Sequence, residues 1–206
     1  MRYHDILGNL RAAYDGGAEE RDRRKKQPWK VAERAGFLER LAQGARLLEV
    51  GAGTGQDSLF FIAHGLEVVA TDLSPVMVER CRAKGIDARA MDVLNLDFPA
   101  ASFDAVYSIN CLLHVPDADL PAVLERICAV LRPGGLFYFG AYGGSGEEGI
   151  AEQDTHHPPR FFSWRTDAQA RQLVGQSFRI VDFHVIESGD YHFQSLTAQR
   201  PEVGPG

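Results

Sequence analysis

From residue 46 onward, short apolar runs alternate with segments whose apolar positions recur every three or four residues. Residues 47–50 (LLEV) read as a strand, 56–64 as a helix closed by Gly65, and 66–72 (LEVVATD) as a second strand. That second strand is nearly continuous in its apolar part, the pattern of a strand covered on both faces. Ser74-Pro75 then opens a helix running to Lys84, with Ser as N-cap and Pro at the first helical position, and Gly85 ends it. Residues 87–93, 103–110 and 136–142 supply three more strands. Between the last two, Pro121 opens a helix whose Val123, Leu124, Ile127, Cys128 and Leu131 form one apolar face, broken by Pro133-Gly134-Gly135. Strands alternating with helices predict a parallel sheet with right-handed crossovers and helices on both sides.

The two ends of the chain carry other patterns. Val31, Ala35, Leu38, Leu41 and Ala42 predict an amphipathic helix over 28–43, stopped by Gly44. Before it, Tyr14-Asp-Gly-Gly reads as a break followed by charged residues, a mobile arm. Residues 143–159 are glycine-rich, acidic and proline-ended, and predict a long irregular loop of the kind that carries function. Thr166-x-x-Gln169 is a capping box for a helix to about Val174. Residues 178–186 and 191–199, joined by 187–190, predict an antiparallel hairpin. The chain is read as a single domain, 1–206: a helical arm or lid (1–44), a ligand-binding core (45–142), a substrate loop (143–165), and a C-terminal helix and hairpin (166–206). The expected fold class is α/β, doubly wound and Rossmann-like, with a seven-stranded mixed sheet and an antiparallel C-terminal strand.

Composition narrows the partners. A chain of 206 residues, 45% hydrophobic and 24% charged, has the make-up of a globular domain with a sizeable core. Its net charge of −6 argues against a nucleic-acid partner. The one basic cluster, residues 21–26 (RDRRKK), contains Asp22 and follows Glu19 and Glu20, so a solvated helix face or loop is the favoured reading. Three cysteines without metal-ligand spacing suggest reduced thiols and a cytoplasmic location. The first residues, MRYHDILGNL, lack the long apolar run of a signal peptide, and nothing approaches the roughly 20 apolar residues of a membrane span.

The chemistry concentrates in residues 47–58, LLEVGAGTGQDS. Glycines just past a buried strand let the backbone turn sharply and approach a ligand closely. Gly51, Gly53 and Gly55 do not fit the dinucleotide fingerprint G-x-G-x-x-G, because the third glycine comes one place early. The Gly-Lys-Ser/Thr of a phosphate-cradling loop is absent too. The pattern that stands is Glu49-x-Gly51-x-Gly53-x-Gly55. It is followed 17 residues after Gly55 by Asp72 at the end of the second strand, where a carboxylate can accept both hydroxyls of a ribose.

Here the sequence resembles the class I S-adenosylmethionine-dependent methyltransferases, strongly over about 46–142 and loosely at the ends. The resemblance implies S-adenosylmethionine as cofactor and S-adenosylhomocysteine as product. It implies that Glu49, Gly51, Ala52, Gly53 and Gly55 form the cofactor loop, that Asp72 holds the ribose, and that Leu73 lies on the adenine. Asp92 would accept from the adenine amine, with Val93 beside it. Asn110, in SINCLLHV after strand four, and LRPGGLFYF both look like the matching pieces of small-molecule members. Met77 is carried over as a further cofactor contact, and Arg34 or Lys30 would meet the methionine carboxylate. Strand four lacks the Asn/Asp-Pro-Pro-aromatic motif of the family's amino-methylating nucleic-acid enzymes.

Transfer of a methyl group demands alignment above all, with an added base where an O–H or N–H must lose its proton. His114, four residues beyond the strand-four tip, is read either as that base or as a residue that packs its turn. Tyr14, Trp29, His156 and Phe161 (with Phe162) are read as substrate walls, although core packing is the favoured reading for the two phenylalanines. Adjacent His156 and His157 do not make a metal site, and no metal is expected. The expected activity is methyl transfer to a small molecule, with oxygen or nitrogen favoured over carbon or sulfur as the acceptor atom, and with no nucleic-acid or membrane partner. An NAD(P)-dependent oxidoreductase and a non-catalytic cofactor-binding regulator are the alternatives.

Overall fold

The computed structural model describes residues 1–189 and 191–202; Asp190 in the expected hairpin turn and residues 203–206 of the C-terminal segment lie outside them. The strands are β1 (Arg46–Val50), β2 (Glu67–Asp72), β3 (Asp87–Ala90), β4 (Phe103–Ile109), β5 (Leu131–Tyr142), β6 (Glu147–Ile150), β7 (Phe161–Trp164), β8 (Arg179–Ser188) and β9 (Tyr191–Gln199). The helices are α1 (Tyr3–Gly16), α2 (Ala18–Arg23), α3 (Pro28–Leu38), α4 (Gln56–Ala63), α5 (Pro75–Ala83), α6 (Leu120–Val130) and α7 (Asp167–Gly175).

Seven strands form one sheet in the order β3-β2-β1-β4-β5-β9-β8. The first five are parallel, and β9 runs antiparallel to both β5 and β8. The order reverses between β1 and β4, which opens a crevice at the carboxyl ends of those strands. Both sheet faces are buried by side chains of alternate parity. Val106 of β4, with Phe137 and Phe139 of β5, joins the core under α6 and α7, and the register shift between Phe103 and Ala105 puts Phe103 on the same side. Ala105 and Tyr107, with Tyr138, face the opposite core under α3 and α4. There Tyr107 and Tyr138 stack at 4.8 Å, and Phe37 of α3 lies 5.7 Å from Tyr107.

Local signals explain the helix ends. Ser74 Oγ accepts from Met77 N at 3.1 Å, with Pro75 opening α5. The Thr166–Gln169 capping box starts α7. The structure departs from the sequence reading in five places. Helix α1 continues through Tyr14-Asp15 to Gly16 instead of breaking there, and the arm is docked: Tyr3 N donates to Asp119 Oδ2 at 2.6 Å and Ser74 Oγ donates to Asp15. Helix α3 ends at Leu38, short of Gln43. Strand β3 stops at Ala90, short of the expected residue 93. Strand β5 begins at Leu131, directly after α6, and carries Pro133-Gly134-Gly135 across a register shift. The loop expected to be irregular contains β6, paired antiparallel with β7. That hairpin persists because β7 is two-sided, with Phe161 and Ser163 buried and Phe162 stacked on Trp164 at 5.2 Å.

Arg165, 2% exposed, ties this hairpin to the 3₁₀ turn Leu112–His114. Its guanidinium donates to Leu112 O at 3.2 Å and Val115 O at 2.5 Å, and its Nε lies 2.7 Å from Asp117 Oδ1. Arg165→Met leaves those carbonyls and a part-exposed carboxylate without their partner, so it is expected to cost about 2 kcal/mol. The urea midpoint should fall at unchanged m-value; an unmoved midpoint would show that the guanidinium does not hold the turn.

Candidate functional site

The glycine loop is fixed by the end of β2. Thr71 O accepts from Gly51 N at 2.8 Å and from Ala52 N at 3.0 Å. Asp72 then takes Gly53 N on Oδ2 at 2.7 Å and Ser74 N on Oδ1 at 2.9 Å. A carboxylate has about four lone-pair sites, so two remain for a ligand. Burial pushes the Asp72 pKa up, while the Ser74 and Gly53 amides counter it. Gly51 has φ +76, and a Cβ there would lie 2.4 Å from Cys111 Cβ, so the loop closes against the turn after β4 only as glycine.

Two connected spaces open above this loop. The larger, of about 510 Å³, lies over the tips of β1 and β4 and is roofed by the segment from Tyr14 to Lys30. The smaller, of about 40 Å³, runs between α1 and the tip of β2, bordered by Leu10, Asp72, Leu73 and Val93. Tyr14, Arg21, Gly51, Asn110 and His114 border both. Arg21 crosses the junction: a Cβ on Gly53 would meet its Nε at 2.8 Å. Asn110 sits at φ +53, a left-handed conformation that asparagine tolerates, and its buried Oδ1 has no hydrogen-bond partner among the described residues. A buried acceptor left unpaired is costly and suits a ligand donor.

His114 is 3% exposed and both ring nitrogens are engaged. Phe161 O, 2.6 Å from Nδ1, can only accept, so Nδ1 carries the proton. Nε2 therefore accepts from the Tyr14 hydroxyl at 2.6 Å. Burial pulls the imidazole pKa down to about 3, so the ring is neutral at ordinary pH. Arg160 Nη1 donates to the Tyr14 oxygen at 3.1 Å, and Asp154 holds the same guanidinium through Nε at 2.7 Å and Nη2 at 2.8 Å. A chain Asp154–Arg160–Tyr14–His114 thus spans the wall.

On the opposite side, Glu49 is buried and accepts from Ser58 Oγ. Burial, with Asp57 nearby, raises its pKa to about 8. Asp57 is paired with Lys26 at 2.5 Å and Arg34 at 3.0 Å.

The structure brings Glu49, Gly51, Ala52, Asn110, His114, Tyr14 and His156 to the larger space, and Gly53, Asp72, Leu73 and Val93 to the smaller. Six expected positions fall elsewhere. Asp92 borders neither space; its carboxylate accepts from Leu94 N at 2.7 Å and Asn95 Nδ2 at 2.5 Å. Arg34 is committed to Asp57 and lies over the Phe60 ring, and Lys30 borders the cavity instead. Met77 lies on the fully buried face of α5, and Gly55 faces Ile86 and Cys81. Trp29 packs on Phe193 at 4.5 Å, behind the wall. Phe161 is buried and offers only its carbonyl, whereas Phe162 borders the cavity.

The sequence reading missed Arg160 and the basic cluster. Arg21, Arg24, Lys25 and Lys26 border the larger space, and Arg24 and Lys25 are at the same time exposed, as the solvated reading expected. The signal was the interleaving itself. Glu19 and Glu20 pair with Arg23 and Arg24 at i,i+4, while Asp22 turns away to Lys84 at 2.5 Å. Among the described residues no group of three His, Cys, Asp or Glu side chains is placed to hold a metal, and no helix is long and apolar enough to cross a membrane.

Residues 47–135 match the family described as "Methyltransferase domain". The sequence is 38% identical to 24-methylenesterol C-methyltransferase 2 of Oryza sativa over 51% of this chain and 31% of that protein. It is 39% identical to the ubiquinone biosynthesis O-methyltransferase of Xanthomonas oryzae over 46% of this chain and 42% of that one. The chain thus spans less than half the length of each of these two curated relatives. Among solved structures, the 1,6-didemethyltoxoflavin-N1-methyltransferase of Burkholderia thailandensis, bound to 1,6-didemethyltoxoflavin and S-adenosylhomocysteine, superposes with TM-score 0.81. It is 25% identical, over 98% of this chain and 92% of that one. The [4+2]-cyclase SpnF shares the fold at TM-score 0.69 and 19% identity, over 86% of this chain and 84% of that one, so the architecture alone does not fix the reaction. The glycine loop and the carboxylate at the tip of β2 both lie within residues 47–135, the stretch that matches the methyltransferase domain family.

Proposed function

We propose that the protein transfers a methyl group from S-adenosylmethionine to an oxygen or nitrogen of a small molecule. The observation that carries this reading is Asp72: a half-buried carboxylate, half satisfied by Gly53 and Ser74, open to the space between α1 and the β2 tip. That arrangement suits a ribose, with Leu73 and Val93 offering apolar surface for a base and Asn110 Oδ1 an unused acceptor. The bound S-adenosylhomocysteine of the Burkholderia enzyme supports the same ligand here. When bound, S-adenosylmethionine supplies an electrophilic methyl carbon, whose bond to sulfur breaks with the electron pair returning to sulfur. Space of about 40 Å³ holds no nucleoside, so the Arg21 side chain swings aside on entry.

The chain's own residues then position and exclude. Helix α1 and the 14–30 segment close the roof, and the β6–β7 hairpin supplies the far wall, so the 1–44 and 143–165 segments act as lid and substrate loop of one unit. His114 is assigned to holding the Tyr14 hydroxyl. A ring whose pKa lies near 3 and whose Nε2 is occupied does not take a proton near neutrality, so the base role is set aside in favour of positioning. The oxygen- and nitrogen-methylating relatives support the acceptor class. Three free cysteines support a cytoplasmic setting, and the acidic net charge supports the absence of a nucleic-acid partner.

Asp72→Ala is expected to weaken S-adenosylhomocysteine binding by about 1–3 kcal/mol, the cost of leaving buried hydroxyls unpaired. Circular dichroism should show the fold retained; an unchanged dissociation constant would remove the ribose assignment. Tyr14→Phe and His114→Asn should each lower kcat/KM about three- to tenfold, the double variant losing no more than the larger single effect. The pH–rate profile keeps its shape in both variants. An acid limb near pH 6.5 that vanishes in His114→Asn would restore the histidine as a base.

A further inference from the structure

The larger cavity reverses the sign of the molecule. A chain of net charge −6 gives this space six Arg and Lys side chains against two carboxylates, Glu49 and Asp57. Three of the cations have neighbours that neutralise them: Arg24 with Glu20, Lys26 with Asp57, and Arg160 with Asp154. The other three, Arg21, Lys25 and Lys30, have no carboxylate within 4 Å among the described residues. Lys30 is the most telling of them. Its Nζ is held 5.0 Å from the Trp29 ring centroid and 4.9 Å from that of Tyr142. Burial, followed by the nearby Lys26 and Arg21 cations, pulls its pKa down to about 8. A part-buried ammonium without a counter-charge is unfavourable until a ligand supplies one.

The cofactor brings a single carboxylate, which can pair with one of these three cations and leaves the others without a partner. S-adenosylmethionine carries one carboxylate, and that is offset by its own ammonium and sulfonium. Loading it therefore adds positive charge to a cavity already in surplus. The remaining space is walled by rings: Tyr142, Phe162 and Tyr14, with the Arg160 guanidinium 5.0 Å from the Phe162 centroid and 5.3 Å from that of Tyr14. Aromatic faces and guanidinium planes favour a flat partner.

We infer that the methyl acceptor is a flat organic anion, bound in its ionised form between the Arg21, Lys25 and Lys30 side and the aromatic wall of Tyr14, Tyr142 and Phe162. This rests on the transferase reading and names its substrate class. It also accounts for the engaged state of His114: an acceptor selected as its anion has already left its proton in water, and the site needs no base.

The test uses the whole protein saturated with S-adenosylhomocysteine and titrated in a calorimeter with 2-naphthoate and, separately, with its neutral isostere 2-naphthamide. Naphthoate should bind about tenfold more tightly, and Lys30→Gln and Lys25→Gln should each reduce that advantage about three- to tenfold without weakening naphthamide. Lys25 lies exposed at the rim, so its variant carries the comparison if Lys30→Gln fails to fold. Equal affinity for the two probes, or no binding of either, overturns the inference. Displacement of naphthoate by millimolar inorganic phosphate overturns it too, because the cations would then serve a phosphate group. If S-adenosylhomocysteine itself does not bind, the transferase reading fails and takes the inference with it; if it binds and the probes do not discriminate, only the inference fails.

Discussion

The carboxyl end of β2 does two jobs at once, and the site depends on that. Thr71 O and the Asp72 carboxylate accept three consecutive amides of the glycine loop, those of Gly51, Ala52 and Gly53. These bonds hold a left-handed backbone open in front of the switch between β1 and β4. The same carboxylate keeps unused lone pairs toward the space beneath α1. Loop geometry and ligand recognition are therefore not separable: a residue that lost either function at position 72 would lose both. The parallel core exists to bring β1, β2 and β4 into register so that their tips converge, which is why both faces of β4 and β5 are packed with aromatic and branched side chains.

The second organising feature is the docking of a charged N-terminal segment onto this core. Asp119 holds the start of α1, Ser74 and Leu73 O hold its end through Asp15 and Arg11, and Asp22 anchors α2 to Lys84. Acidic residues of the arm spend their charge on these anchors and on helix pairs. What remains, facing inward, is cationic. The arm is consequently both roof and electrostatic wall, and the polar chain from Asp154 to His114 completes the opposite side without a titratable group poised near neutrality.

Much of this was legible in the sequence, for reasons that are physical. Most of the seven sheet strands were readable because they are short apolar runs bounded by glycine, proline or a capping residue, and Asp72 stood out through its distance from the glycine loop. The β6–β7 hairpin was not, since Glu147–Ile150 has no alternation of its own and is held by a partner more than ten residues away. Asp92 was read as the partner of the adenine amine, but the chain after β3 places it beside neither space, where it accepts from the Leu94 amide and Asn95. The basic cluster looked solvated because its nearest acids are adjacent in sequence; only the fold shows which cations those acids neutralise and which they leave over. Arg160 carried no signal, as its partners Asp154 and Tyr14 are joined to it by loop closure and by tertiary docking.

The most direct test of the account is calorimetric titration of the purified protein with S-adenosylhomocysteine and, in a separate cell, with NAD. The account predicts a micromolar dissociation constant for S-adenosylhomocysteine and no heat of binding from NAD. Binding of NAD with no response to S-adenosylhomocysteine would contradict it.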